Sequence, residues 1–132
     1  MDLTVLKWLD RTAVSFAEKT VFSDKENTLT FSQLNAYTKS VGTYLAKAVK
    51  PGSAVVVMSG RHVLTPACYL GVVRAGCFYA PMDATMPVAR LNQILKVIKA
   101  DTMLGPGARG TGRDTGLFRK CPDYGGYSGY AC

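Results

Sequence analysis

The chain has 132 residues, of which 48% are hydrophobic, as is typical of one soluble globular domain. Its longest apolar runs, such as residues 54–58, are far shorter than the roughly 18 residues that suggest a membrane span, so none is predicted. Sixteen Lys and Arg against nine Asp and Glu give a net charge of +7. These basic residues are scattered, which favours a mixed solvated surface over a nucleic-acid or membrane footprint.

The start of the chain and its cysteines indicate the cytoplasm. Asp2 stands where a secretory leader would be basic, and charges recur every few residues, so no signal peptide is expected. The four cysteines, at positions 68, 77, 121 and 132, include no C-x-x-C pair of the kind that zinc and redox sites use. We therefore expect reduced thiols, with Cys68 and Cys77 packed in the core.

The first fifty residues predict two amphipathic helices separated by a β-hairpin. Apolar residues at three- and four-residue steps predict a helix over residues 2–18, capped by Asp2. Strand-like stretches on either side of residues 25–27 predict the hairpin. Ser32 is a favourable N-cap for the second helix, which is expected to end before Pro51.

The next fifty residues alternate between strand and helix patterns. Residues 54–59 form a β-branched run without polar alternation, which is typical of a strand covered on both faces. Helical spacing of small apolar residues follows over 61–75, then a strand and loop over 77–83, a helix entered at Pro87, and a strand from Asp101. This order predicts an α/β fold with a parallel sheet and right-handed crossovers in the first 104 residues.

Two motifs and three shorter features carry a resemblance to a known family. They are LTFSQL at residues 29–34, VVRAGCFYAPMD at 72–83, VLKWLDRTA near the start, Lys50-Pro51-Gly52, and the Met86-Pro87 helix entry leading to Arg90 and Leu91. In this order and spacing they resemble the N-terminal part of the adenylate-forming (AMP-binding) ligases over about residues 2–104, so residues 1–104 are expected to form a partial adenylation domain. Amino-acid adenylation domains and D-alanine:carrier-protein ligases are the most similar members. Arg74 replaces a common lysine, and Ala80 and Met82 replace larger or branched residues.

The resemblance implies a chemistry that these residues do not themselves supply. Members use Mg-ATP to convert a carboxylate, here an amino acid such as D-alanine, into an acyl adenylate, which a carrier protein's phosphopantetheine thiol then accepts. Their phosphate loop, a later aspartate and a catalytic lysine all lie downstream of the position of Asp83. None of these is found in the 132 residues. We therefore expect an inactive N-terminal fragment, without catalytic, cofactor-binding or metal-binding residues, in which Gly76 and Asp83 shape turns.

Two apparent motifs are not interpreted as functional sites. GPGARG at residues 105–110 matches G-x-G-x-x-G, but no apolar helical stripe follows it. A phosphate loop would also require lysine where Thr111 stands. His62, the sole histidine, has no Ser, Cys or carboxylate placed beside it by motif, so it is interpreted as a first-turn residue of a helix and not as a base.

Residues 105–132 differ in character from residues 1–104. Eight of the thirteen glycines fall there, and Leu117 is the only aliphatic of the Val, Ile, Leu and Met group. We expect an unstructured, disordered Gly-rich tail that is out of frame, because a one-base shift permits ordinary helix and strand sequences across it. The alternative is a small basic α/β interaction module whose tail binds nucleic acid through its tyrosines and arginines, namely Tyr124, Tyr127, Tyr130, Arg109, Arg113 and Arg119. A disulfide loop between Cys121 and Cys132, and a free-standing interaction domain of residues 1–104 with bare apolar faces, are weaker readings.

The frame hypothesis predicts a result at the level of the gene. Sequencing the encoding DNA from codon 100 to several hundred bases past codon 132 should reveal a second frame that continues with a Ser/Thr/Gly-rich loop ending in lysine. Confirmation of the present frame, with no such continuation in either other frame, would contradict the hypothesis.

Overall fold

The computed structural model describes residues 4–59, 61–83, 85–100, 102–105 and 118–120. Four helices and six strands lie in these ranges. In chain order they are α1 (Val5–Ser15), β1 (Thr20–Ser23), β2 (Thr28–Thr30), α2 (Phe31–Ala48), β3 (Ala54–Ser59), α3 (Thr65–Arg74), β4 (Phe78–Asp83), α4 (Val88–Ile98), β5 (Thr102–Leu104) and β6 (Phe118–Lys120).

Threonines begin the first two helices. Thr4 Oγ1 accepts the N–H of Lys7 at 3.3 Å and caps α1. At α2, Thr30 Oγ1 accepts the N–H of Gln33 and Gln33 Oε1 accepts the N–H of Thr30, which completes a capping box. The prediction of Ser32 as the cap is wrong, because the backbone is already helical at Phe31 and is extended only at Thr30. The cap of α1 is thus Thr4 and not the predicted Asp2, which itself lies outside the described residues.

The later elements follow the predicted order with shifted ends. The hairpin is confirmed, since β1 and β2 pair antiparallel. The helix predicted over 61–75 is shorter and begins at Thr65. Pro87 lies one position earlier than a first-turn residue and is the N-cap of α4. The final strand β6 was not predicted and lies inside the region expected to be unstructured; the rest of that region, after Gly105, lies outside the described residues.

A parallel sheet organises the fold around β3, as predicted. The strand order is β4-β3-β5-β6, in which β3 is parallel to β4 and to β5, and β6 is antiparallel to β5. The register sets Val55 beside Tyr79 on one side and beside Thr102 on the other. Because helices connect these parallel strands, the sheet belongs to the α/β class.

The two faces of β3 belong to two different cores. Val55 and Val57 pack with Cys68 and with the buried residues of α2 and α3. Ala54, Val56 and Met58 pack on the opposite face, against Leu91 and Leu95 of α4. A strand whose successive side chains all find apolar cover needs no polar alternation, which explains the β-branched run. The described layers are therefore helix, sheet and helix.

The two described cysteines are buried free thiols, which confirms their predicted core positions. Burial raises the pKa of the Cys68 thiol to about 12, so this side chain is un-ionised at neutral pH. Cys121 and Cys132 lie outside the described residues.

Pro81 sits in β4 without disrupting the sheet. The N–H of Phe78 donates to the Ser53 carbonyl at 3.2 Å and therefore points towards β3. Backbone groups alternate in direction along a strand, so those of Tyr79 and Pro81 point away from β3. The missing N–H of Pro81 therefore removes no bond to β3, which is why proline is tolerated on an edge strand. In the described part of the chain, β4 is such an edge.

Helices α2 and α3 approach each other closely at two glycines. A Cβ atom added to Gly71 would overlap Cβ and Cγ1 of Val41, and one added to Gly42 would lie 2.9 Å from Cβ of Arg74. Val41 and Val72 are both fully buried at this interface. The sequence predicted that small residues of this helix face the sheet; Gly71 instead faces α2.

We expect Gly71→Ala to destabilise the fold by about 1–3 kcal/mol, because the clash with Val41 outweighs the gain in helix propensity. Urea unfolding would measure the change. Val73→Ala, on a more exposed position of α3, is the control and should have a much smaller effect. Adding Val41→Ala should offset part of the Gly71→Ala loss; strictly additive effects would contradict the contact.

Candidate functional site

A groove lies between the β1–β2 turn and the segment that leads from β3 into α3. Its volume is about 620 Å³, and residues 22–27, residues 61–63 and Pro66 line it. This volume falls in the usual range for small-molecule pockets of roughly 300–1,000 Å³. Most of the lining residues lie in connecting segments, where binding residues are commonly found.

Asp24 joins the two walls. Its Oδ1 accepts the N–H groups of Glu26 and Asn27, both at 2.8 Å, which shapes the hairpin turn. Its Oδ2 accepts the N–H of Val63 from the other wall at 3.1 Å. The bonds from Glu26 and Asn27, followed by that from Val63, lower the pKa of this carboxyl. An ionised Asp24 therefore fixes the spacing of the walls.

His62 lies in the groove wall and not in a helix. The prediction of a first-turn position is wrong because α3 begins three residues later, at Thr65. His62 Nδ1 accepts the N–H of Leu64 at 3.1 Å, so in the neutral ring the proton is on Nε2. Among the described residues, no Ser, Cys or carboxylate hydrogen-bonds to this imidazole, which gives a general base no orienting partner.

The carboxyl ends of the parallel strands form a second region of interest. Ser59 and Asp83 end β3 and β4 in register, and Gly105 follows β5. Since the chain leaves β3 towards β4 while β5 lies on the other side, the strand order reverses between β3 and β5, where ligands bind in open α/β sheets. Of the segment GPGARG, only Gly105 is described.

The side chains at this edge make structural contacts. Ser59 Oγ is hydrogen-bonded to the hydroxyl of Tyr69, whose ring lies 4.5 Å from that of Tyr79. Asp83 Oδ1 accepts the N–H of Thr85 at 2.9 Å, and the bonds from Thr85 lower the pKa of Asp83. Asp83 thus shapes the turn after β4, and Gly76, with φ of 73°, makes the turn before it.

A magnesium site is not found in the part of the chain that the structure describes. No group of three or more His, Cys, Asp or Glu side chains there is arranged to hold a metal ion. Asp24 and Asp83 instead accept backbone N–H groups, and Asp10 accepts a hydrogen bond from Arg74.

Arg74 links three helices, a role that the sequence did not reveal. Its Nη2 donates to Asp10 Oδ1 of α1 and to Asn35 Oδ1 of α2, both at 2.7 Å, and its Nε donates to Thr38 Oγ1 at 3.1 Å. The Arg74 side chain is only 16% exposed. A planar guanidinium can reach these acceptors at once, whereas the ammonium of the common lysine is a compact charge. The only sign of this role in the sequence was that Arg74 replaces the family's common lysine. Its partners could not be identified from the sequence because they lie 36 to 64 residues away in the chain.

The AMP-binding enzyme family matches residues 9–122. The chain belongs to this family. The match includes both motifs quoted above and continues past Leu104, the predicted end of the resemblance.

Similar proteins include much longer synthetases. A hybrid PKS-NRPS synthetase apdA of Emericella nidulans is 32% identical over 102 residues, which is 76% of this chain and 3% of that protein. The AMB antimetabolite synthetase AmbE of Pseudomonas aeruginosa is 39% identical over 67 residues, 50% of this chain and 3% of that protein. The chain thus spans only a small fraction of the relatives that it matches.

Solved structures share the fold. A nonribosomal peptide synthetase, FmoA3, bound to α-methyl-L-serine-AMP, aligns with a TM-score of 0.72 at 23% identity, over 77% of this chain and 12% of that one. The N-terminal subdomain of Klebsiella oxytoca NpsA aligns at 0.69 and 13% identity, over 84% and 29%. The N-terminal adenylation subdomain predicted from the sequence is confirmed as the fold.

The nucleic-acid alternative gains no support from these comparisons. Its tyrosines, together with Arg109 and Arg113, lie outside the described residues, and only the backbone of Arg119 is described, in β6. In addition, no helix in the described ranges has the length and apolar character needed to cross a membrane.

Arg74→Lys should destabilise the fold by about 1–3 kcal/mol, because a lysine cannot replace all three bonds. Urea unfolding would measure the loss, and the fluorescence of Trp8, the only tryptophan, would report on α1. Arg11→Lys, at an exposed position of α1, is the matched control. Equal stability of the two variants would contradict the role of Arg74.

The pH dependence of stability should reveal the contribution of the ion pair between Asp10 and Arg74. The hydrogen bond from Arg74 lowers the pKa of Asp10 below its ordinary 3.8. A carboxyl whose pKa is lower in the folded state stabilises it above about pH 3.8, and that contribution is lost as pH falls through the folded pKa. Asp10→Asn should therefore be less stable than the wild type at pH 7, with the difference narrowing as the pH falls below 3.8. A gap that does not change with pH would count against this ion pair.

Proposed function

We propose that the chain is the N-terminal part of the adenylation domain of a longer ATP-dependent ligase. The longer protein would activate an amino acid as its adenylate with Mg-ATP and transfer it to the phosphopantetheine thiol of a carrier protein. The observation that carries this proposal is the family match over residues 9–122, joined to the shared sheet of the adenylation subdomain. D-alanine is one candidate amino acid, since the two motifs resemble those of D-alanine:carrier-protein ligases.

Within such a ligase, the described residues would act as scaffold. Their polar side chains cap helices, shape turns and join helices, as Thr30, Asp83 and Arg74 do. None is arranged as a nucleophile with a base, or as a cluster of donors and cations around a phosphate. ATP and Mg²⁺ would be held by parts of the ligase that these 132 residues do not contain.

Exposed apolar side chains support a larger protein around this chain. Phe78 and Tyr79 are 53% and 42% exposed on the edge strand β4, and Trp8 is 53% exposed on α1. Apolar surface at an unpaired strand edge is normally covered in native proteins. We also propose the cytoplasm as its location, where thiols such as Cys68 remain reduced.

The boundary at residue 104 and the frame change beyond it remain part of this proposal. The family match extends past that boundary to residue 122. The DNA experiment described above decides between a genuine continuation and a change of frame.

Exchange of radiolabelled pyrophosphate into ATP tests the proposal. The 132-residue chain should give no amino-acid-dependent exchange, whereas the polypeptide extended with the predicted downstream frame should exchange with one or a few amino acids. D-alanine and L-alanine should be compared directly. Exchange by the 132-residue chain above a blank would overturn the scaffold assignment, and an inactive extended protein would argue against the ligase.

A further inference from the structure

We propose that the entry to α3 contains a pH-sensitive hydrogen bond, in which the imidazole of His62 holds the backbone of Leu64 only while the ring is neutral. Protonation of the ring releases this N–H and loosens the groove wall that residues 61–63 form. The inference concerns the conformation of the chain and goes beyond the ligase function proposed above. It is tested without any measurement of activity.

The turn into α3 is held by three consecutive backbone N–H groups. That of Val63 donates to Asp24 Oδ2 at 3.1 Å. That of Leu64 donates to His62 Nδ1 at 3.1 Å, and that of Thr65 donates to the His62 carbonyl at 3.0 Å. Leu64 is the N-cap of α3, which has no side-chain cap of its own. His62 therefore supplies two of the three acceptors at this helix entry.

One of these acceptors exists in a single charge state. Neutral imidazole has one nitrogen with a free lone pair, whereas both nitrogens carry protons in the imidazolium ion. A protonated Nδ1 would face the Leu64 N–H as a second donor, so that bond is lost. Histidine side chains ordinarily change charge between pH 5 and 8. The bond is therefore expected to break within that range.

The loss of this bond reaches the wall of the groove. Val63 precedes Leu64, and its N–H joins the two walls through Asp24. Because the Asp24 carboxylate accepts on both oxygens, it already holds the β1–β2 turn and cannot follow the moving wall freely. We therefore expect the bond from Val63 to weaken together with that from Leu64.

Charged and titratable groups surround the imidazole on every side that the structure describes. Those that line the same cavities are Asp24, Lys25 and Glu26 of the β1–β2 turn, Arg61 next to His62, and Tyr37 of α2. The carboxylates attract a protonated ring and the two cations repel it. Since these effects oppose each other, the direction of the change depends on the lost lone pair of Nδ1 and not on the surrounding charge.

NMR of the isotopically labelled 132-residue chain between pH 5 and 8 tests the proposal. His62 is the only histidine, so its Hε1 proton gives a single imidazole signal. We expect the amide signals of Leu64 and Val63 to shift with the same midpoint as Hε1. The Leu64 amide proton should lie downfield at pH 8 and move upfield on acidification. The ring nitrogen shifts at pH 8 should show the proton on Nε2.

Two variants separate the acceptor from its titration. In His62→Asn, the side-chain oxygen can accept the N–H two residues on and does not titrate, so the Leu64 amide should stay downfield from pH 5 to 8. In His62→Ala, which has no acceptor, it should lie upfield at both pH values. Its exchange with solvent at pH 8 should also be about fivefold faster than in the wild type, as for one lost hydrogen bond.

Three results would overturn the proposal. The first is a Leu64 amide that does not shift while Hε1 titrates, and the second is a neutral ring with its proton on Nδ1. Both are measured on the unsubstituted chain, so they decide the matter even where a variant does not fold. The third is a Leu64 amide that titrates in folded His62→Asn as it does in the wild type.

Discussion

The close approach of α2 and α3 is the constraint on which the described fold depends. Gly71 has no side chain, so Val41 occupies the space where its Cβ would lie. This contact brings α2 near enough to pack on the same core as Val55 and Val57 of the central strand. Arg74 lies one helical turn further along α3, against Gly42, and from there its guanidinium reaches α1 and α2. The contact and the bonds of Arg74 therefore hold α1, α2 and α3 together.

The opposite face of the sheet is covered by α4. Leu91 and Leu95 of α4 cover Val56 and Met103, while β3 remains buried from both sides. Buried strands without polar alternation are typical of parallel sheets with helices on both faces. The polar loops then gather at the ends of the strands, where both Asp24 and Asp83 accept backbone N–H groups.

Local patterns predicted most of this architecture because they depend on neighbours in the chain. The apolar run of β3, the hairpin and the turn glycine Gly76 could each be recognised from a few adjacent residues. Helix starts were less predictable: Thr30 and Ser32 are both good caps, and only the backbone conformation decides between them. The bonds of Arg74 to Asp10 and of Asp24 to Val63 could not be predicted, because residues far apart in sequence meet only once the helices have packed.

The family assignment and the local chemistry lead to a consistent view of the chain. Membership rests on the match over residues 9–122, and the described side chains discussed above bond mainly to other groups of the protein. The proposed scaffold role would explain why the motifs are recognisable although no reacting group is assigned to them.

Hydrogen exchange of individual amides, followed by NMR in the 132-residue chain, would test most directly whether β3 is the centre of the fold. Amides protected by burial exchange only on opening of the surrounding structure. The amides of residues 55–58 should exchange slowest. Those of α1 should exchange much faster, because this helix is held mainly through Leu9, Ala13 and the bond from Arg74 to Asp10. Equal exchange rates in β3 and α1 would contradict a core built on the central strand.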